Sequence, residues 1–185
     1  MTKAQLRRLA YSILLFIVAI LGAALAQPVS EQPGDNGVSD KAFFAVSRVV
    51  DGDTFRIQTS DGEETVRLIG VNTPETVDPR REVECYGKEA SAELKNLIEG
   101  KEVYIQFDTT QGERDKYGRL LVYAWVNDED PTVSAQRFIN LELIRGGFAY
   151  EYTYNTPYKY QAQFKAAQLE AQSLQLGLWG SCAVQ

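Results

Sequence analysis

The sequence predicts an α+β fold, a small barrel of five short strands capped by three helices. Three observations carry that reading. Five stretches between residues 43 and 126 have the β-branched or alternating character of strands. Two of them are joined by the turn sequence Asp61-Gly62, which makes them a tight antiparallel hairpin. Further stretches with apolar residues at helical spacing, or closing on glycine, supply helices to cover the barrel.

Residues 43–50 are apolar and β-branched, a first strand that feeds a bend at Asp51-Gly52. The hairpin follows through residues 54–59 and 65–69. With Ser60 opposite Glu63, paired positions sum to 123, which sets Asp53 opposite Gly70 and close to Asn72 and Thr73. After a polar loop, residues 76–84, a first helix spans residues 87–99 with Ala90, Leu94, Leu97 and Ile98 on one face, and Gly100 stops it. Residues 101–107 alternate Val103, Ile105 and Phe107 with polar partners as a fourth strand. A charged loop, residues 111–118, leads to a fifth at about 119–126. A short helix at about 139–145 ends at Gly146-Gly147. Beyond the aromatic stretch 148–154, Pro157 introduces a last helix with Tyr160, Phe164, Ala167, Ala171 and Leu174 on one face. Elements in this order fit an oligonucleotide-binding (OB) barrel.

The N-terminal end of the chain carries an address. Lys3, Arg7 and Arg8 precede an uncharged apolar run over residues 9–26 that closes on Ala24-Leu25-Ala26. Residues 1–26 are thus a signal peptide, with cleavage expected after Ala26. The same run approaches the length of a membrane span, so an uncleaved N-terminal anchor is the alternative. Residues 27–41, rich in Pro, Gly, Ser, Gln and Asp, form a flexible linker, and residues 42–182 form one domain.

Composition narrows the chemistry. The chain has 19 basic and 25 acidic residues, and the leader takes three basic ones with it, so the mature protein carries about nine net negative charges. That argues against a protein that coats nucleic acid through a basic surface, and leaves room for a local basic site or a metal ion. The chain has no histidine, which excludes a Ser-His-Asp triad, the usual His-bearing zinc sites and an imidazole base. Hydrolytic chemistry here falls to carboxylates and arginines, with or without an oxygen-bound metal. Cys85 and Cys182 are the two cysteines. In an oxidising compartment they form one disulfide with a single possible connectivity; the sharper reading, a thiol nucleophile, lacks a histidine to activate it.

Four blocks stand out in order: residues 50–54 (Val-Asp-Gly-Asp-Thr), 67–75 (Arg-Leu-Ile-Gly-Val-Asn-Thr-Pro-Glu), 86–90 (Tyr-Gly-Lys-Glu-Ala) and 115–119 (Asp-Lys-Tyr-Gly-Arg). In sequence and spacing they resemble the thermonuclease family, the staphylococcal-nuclease-like proteins, over about residues 43–179. The resemblance implies a five-stranded OB barrel with three helices and calcium-dependent hydrolysis of DNA and RNA. Carried over by position, Asp53, the side chain of Asn72 and the backbone carbonyl of Thr73 hold Ca2+. Glu75 is the general base toward the attacking water, Arg67 and Arg119 grip the scissile phosphate, and Lys116 and Tyr117 contact the terminal phosphate side. The chemistry agrees: calcium takes hard oxygen ligands, and planar guanidinium forks match phosphoryl oxygens.

The chain departs from the family pattern at several points. Asn72 stands where the family's ligand is usually Asp, which removes one negative charge from the metal site. The base-stacking tyrosines fall out of register: an ungapped alignment places Thr153 and Asn155 there, and Tyr152 and Tyr154 are the candidates. Residues 128–137 look like an insertion. Arg80, Arg81, Arg114, Lys116 and Arg119 form a basic mouth in an acidic body. The expected protein is a secreted or periplasmic monomer acting on DNA or RNA, with no stable protein partner and with membrane contact only if the leader stays uncleaved. The alternative is a noncatalytic OB module that binds nucleic acid or protein.

Overall fold

The computed structural model describes residues 42–76, 82–127 and 136–182. Residues 1–41, expected to be leader and linker, the loop arginines Arg80 and Arg81, and most of the 128–137 segment lie outside them. Five strands close a ring. β1 (Phe43–Asp51) pairs antiparallel with β2 (Thr54–Thr59), and β2 pairs antiparallel with β3 (Gly62–Leu68). β3 runs parallel to β6 (Leu120–Asn127), β6 antiparallel to β5 (Glu102–Gln106), and β5 antiparallel to β1.

The ring closes because β1 serves two neighbours. Its Phe43–Ala45 end pairs with β5 and its Val46–Asp51 end with β2, with register irregularities between Val46 and Arg48 and between Val49 and Asp51. Such irregularities bend a strand and increase its twist, which is what a small closed barrel requires. The inward set is apolar, with Phe55, Ile57, Val66, Leu68, Val103, Val122 and Ala124 all buried.

Three helices cover the barrel: α1 (Gly87–Ile98), α2 (Ile139–Arg145) and α3 (Gln161–Ser173). α1 buries Ala90, Leu94, Leu97 and Ile98, the face expected from its spacing. α2 is tied to the sheet by one polar residue. The buried Asn140 donates from its amide to the Ile69 carbonyl (2.9 Å) and accepts from the Ala124 N–H (3.0 Å). α3 buries Phe164, Ala167 and Ala171. Leu174, expected on that face, is 60% exposed, because the helix ends at Ser173 and the chain reverses at Gln175 (φ 53°).

Three short additions complete the fold. β7 (Gln136–Phe138) extends the sheet beside β6, at the edge of the region read as an insertion. β4 (Val71–Asn72) pairs with β8 (Tyr150–Glu151), setting Asn72 opposite Tyr150. A one-turn helix, α4 (Leu178–Ser181), follows α3. Cys182, just past it, is bridged to Cys85. Among the described residues no helix is long and apolar enough to cross a membrane.

The hairpin register differs from the expected one. Thr59 faces Gly62 and Thr54 faces Arg67, so paired positions sum to 121 and the turn lies at Ser60-Asp61. Thr59 Oγ1 accepts the Asp61 N–H (3.3 Å) and donates to the Gly62 carbonyl (2.8 Å), which favours the tighter loop. Asp53 therefore stands beside Leu68, whose N–H donates to its carbonyl (3.0 Å), and not opposite Gly70. The slip is two residues along the partner strand, so each side chain keeps its face.

Candidate active site

The bend between β1 and β2 presents two carboxylates at one end of the barrel. Gly52 lets the Asn72-Thr73 segment close on that bend, since a Cβ at Gly52 would lie 2.8 Å from the Thr73 side chain. Asp53 uses both of its oxygens: Oδ1 accepts from Thr54 Oγ1 (2.9 Å) and Oδ2 from the Thr73 N–H (3.2 Å). Oδ2 also pairs with the Arg67 guanidinium, which reaches across from the end of β3. Arg67 Nη2 donates in turn to the Asn72 Oδ1 (3.3 Å). Burial, and then the neighbouring Arg119 charge, lower the Arg67 pKa to about 10, which still leaves it cationic at neutral pH.

Asp51 is the second carboxylate of the bend. It accepts from the Gly52 N–H (2.9 Å) and from Thr76 Oγ1 (2.6 Å), and burial raises its pKa against the effect of those bonds. Glu75, three residues past Asn72, accepts the Thr76 N–H on Oε1 (2.9 Å). On the facing loop Asp115 is the organiser. Its carboxylate takes the N–H groups of Tyr117 (2.9 Å) and Arg119 (3.0 Å) and the Arg119 Nε (2.7 Å). Burial opposes the Asp115 charge, but these donors outweigh it and lower the pKa. The loop projects Tyr117, 72% exposed, with Lys116 and Arg119 against its ring at 5.0 and 5.3 Å.

Two adjoining clefts result. The smaller, about 360 Å³, is lined by Asp51, Asp53, Thr73 and Glu75, together with Arg67, Asn72, Tyr117 and Arg119. The larger, about 620 Å³, shares those last four residues and continues past Lys116 to Tyr152 and Tyr154. The ten residues singled out for metal, catalytic and substrate roles thus line one continuous depression, with the arginines and Asn72 at its waist.

The donors facing the smaller cleft are all hard oxygens: carboxylates, the Asn72 amide and the Thr73 segment, whose buried hydroxyl has no hydrogen-bond partner. They fit a calcium-like ion. Among the described residues no three His, Cys, Asp or Glu side chains group closely enough to hold a metal by themselves, so such a site depends on the amide and carbonyl oxygens.

A family model described as staphylococcal nuclease homologue matches residues 65–181. The chain belongs to the staphylococcal nuclease family. Among relatives in that family, it is 40% identical over 136 residues to the thermonuclease of Staphylococcus intermedius, covering 74% of this chain and 75% of the relative. It is 36% identical over 143 residues to the thermonuclease of Staphylococcus hyicus, covering 77% and 79%. Endonuclease YncB of Bacillus subtilis is 35% identical over 135 residues, covering 72% of this chain and 60% of the relative.

Three features of this family member's site escaped the sequence reading. Asp51 and Asp115 lay inside the quoted blocks, and their acidity was the available signal; what they touch depends on the fold. Arg114, assigned to the basic mouth, has its charge met by Glu64 through two bonds (2.9 and 3.0 Å), and it also donates to the Gly118 carbonyl (2.7 Å). It pins the loop as much as it charges the cleft. Tyr150, two residues before Tyr152, packs edge-on against Trp179 at 5.1 Å and does not line either cleft.

Proposed function

We propose that the protein is an exported, calcium-dependent nuclease that hydrolyses phosphodiester bonds of DNA and/or RNA with little sequence preference. The observation that carries this is the meeting of the two clefts at Arg67, Asn72, Tyr117 and Arg119: one side offers oxygen ligands and a carboxylate, the other a groove of about 620 Å³ running past Lys116 to Tyr152 and Tyr154. The names of the relatives, thermonuclease and endonuclease, supply the reaction class. The disulfide supports an oxidising compartment and so export.

Asp53, the Asn72 side chain and the Thr73 carbonyl would hold a calcium ion, which would supply polarisation of a phosphoryl oxygen and a lowered pKa for a bound water. Arg67 and Arg119 receive the equatorial oxygens of the scissile phosphate in two-pronged hydrogen bonds that strengthen as charge builds there. Glu75 accepts the proton of the attacking water. Lys116 and Tyr117 hold the neighbouring phosphate, and Tyr152 and Tyr154 stack on bases without reading them, which keeps sequence preference low. In the free protein Asp53 and Arg67 neutralise each other. That pair would have to part for each to serve, the Asp53 carboxylate toward a cation and the Arg67 guanidinium toward phosphate, so ion and substrate would favour one another.

The test is purified residues 27–185 incubated with plasmid DNA and with RNA, in calcium and in chelator. Fragmentation of at least one of the two in calcium and of neither in chelator is expected. Binding of oligonucleotide without cleavage under any divalent ion would hand the protein to the alternative, a noncatalytic binding module.

A further inference from the structure

Glu75 lies in an extended segment outside every strand, since β4 ends at Asn72. Glu84 clasps it twice. The Glu84 N–H donates to the Glu75 carbonyl (2.9 Å), and the Glu75 N–H donates to a carboxylate oxygen of Glu84 (3.0 Å). The same segment is pressed by the first turn of α1. A Cβ on Gly87 would stand 2.6 Å from the Thr76 side chain and 3.0 Å from the Pro74 carbonyl, so only glycine lets the helix come this close. Thr76 in turn holds Asp51 through its hydroxyl and a Glu75 carboxylate oxygen through its N–H.

The clasp is wired to the chain's far end. Glu84 immediately precedes Cys85, and Cys85 is bridged to Cys182 with Cα atoms 5.9 Å apart. Cys182 is itself well anchored. Its N–H donates to the Leu178 carbonyl (3.0 Å), and the Leu178 N–H donates to the Gly147 carbonyl (2.9 Å). Trp179 packs on Tyr150, the residue paired with Asn72. On the other side of Cys85, Tyr86 adopts φ 68°, a region disfavoured for any residue with a side chain, and its ring packs against Phe148 at 5.7 Å. A disfavoured backbone persists only where its surroundings hold it. Here the bridge on one side and the ring contact on the other do so.

We propose that Glu84 is the positioning residue of Glu75 and that the Cys85–Cys182 bridge locks it in place, so that the nuclease reaches full turnover only with the bridge closed. The inference rests on Glu75 acting as the base. Opening requires a dithiol reductant. Its thiolate attacks one bridge sulfur and releases the other as a thiolate that takes a proton. The second reductant thiol then displaces the first cysteine, so two electrons pass to the bridge and the reductant leaves as its own disulfide. Freed from Cys182, the turn at Tyr86 relaxes and the Glu84 clasp loosens, withdrawing the Glu75 carboxylate from its place without touching the arginines or the tyrosine groove.

The test measures kcat and KM on duplex DNA in calcium for oxidised wild type, dithiol-reduced wild type, the double variant Cys85→Ser/Cys182→Ser, Glu84→Ala, Glu84→Gln and Glu75→Gln, with circular dichroism alongside. Reduction, the double serine variant and Glu84→Ala are expected to lower kcat at least tenfold with KM within twofold. Reoxidation restores the reduced wild type. Glu84→Gln retains most of kcat, because its amide oxygen accepts the same Glu75 N–H. Wild-type kcat in Glu75→Gln would sink the base assignment itself. An inactive Glu75→Gln beside an unimpaired Glu84→Ala, or a loss in Glu84→Ala that appears in KM alone, overturns the positioning role. An impaired Glu84→Ala beside unchanged kcat on reduction, or global unfolding on reduction, overturns the lock.

Discussion

At the scale of single residues the site is a set of charges that satisfy one another until substrate arrives. Arg67 is mostly buried and is committed to Asp53 and Asn72, and Arg119 is committed to Asp115. Lysine at either position keeps the charge and its local ion pair but loses the planar fork, and the fork is what matches two phosphoryl oxygens at once. Arg67→Lys and Arg119→Lys should each lower kcat by about 10²-fold or more, within the range seen when one preorganised donor is removed. Their melting temperatures should stay close to wild type, and a variant that keeps wild-type kcat would show that its guanidinium geometry is not used. Asn72 gives a second prediction. Its amide oxygen already faces the Arg67–Asp53 pair, so Asn72→Asp adds a carboxylate where an ion would sit. Calorimetry should find tighter calcium binding in the variant, and in wild type calcium should bind more tightly when a nonhydrolysable nucleotide is present. Equal or weaker affinity in the variant would remove position 72 from the ligand set. The identities of these residues were legible in the four sequence blocks. Their pairings were not, because Arg67 meets Asp53 only once the hairpin register is fixed, and that register turned on whether Ser60-Asp61 or Asp61-Gly62 makes the turn.

At the scale of elements the junctions between strands and helices are held by buried polar groups, and Asp108 is the clearest. Its carboxylate, just past β5, accepts from the Tyr123 hydroxyl of β6 (2.7 Å), the Lys159 N–H ahead of α3 (2.9 Å) and the Thr110 N–H and hydroxyl (2.9 and 2.8 Å). Burial works against the charge, but these donors overcome it and hold the pKa at about 2. A carboxyl depressed in the fold below its unfolded value of 3.8 stabilises above that value and gives the stability up as pH falls from about 4 to about 2. The contribution is about 2 kcal/mol. Asp108→Asn should lose about that much at pH 7 in denaturant titrations and flatten the acid limb between pH 4 and 2; an unchanged acid limb would place the charge dependence elsewhere. The long elements were readable because periodicity marks them: α1 and β5 fall within a residue or two of the expected bounds. β4, β7 and β8 were not, since strands of two or three residues carry no period and exist only through their partners.

At the scale of the molecule the barrel was legible as a class, because five strand-like runs and three helical faces leave few ways to bury their apolar sides together. Its closure, the parallel contact of β3 with β6, carries no local signal at all. The disulfide was legible for the opposite reason, since two cysteines allow one pairing. It joins residues 97 apart, from the start of α1 to the end of α4, and so encloses most of the domain in one covalent loop. Constraining a loop of that size in the unfolded chain is worth about 4.7 kcal/mol in the chain-entropy model, less whatever strain the bridge adds to the fold. A domain of this size typically has about 5–15 kcal/mol of stability, enough to remain folded without the bridge at 25 °C. Cys85→Ser/Cys182→Ser should therefore unfold cooperatively at a lower denaturant concentration, with stability reduced by about 3–4 kcal/mol. Because the unbridged chain expands more on unfolding, its denaturant slope should also rise, as slope follows the surface newly exposed. A variant with unaltered midpoint and slope would mean that the unfolded chain keeps its two ends together without the bridge, and that the disulfide acts on the site beside Glu84 and not on the fold as a whole.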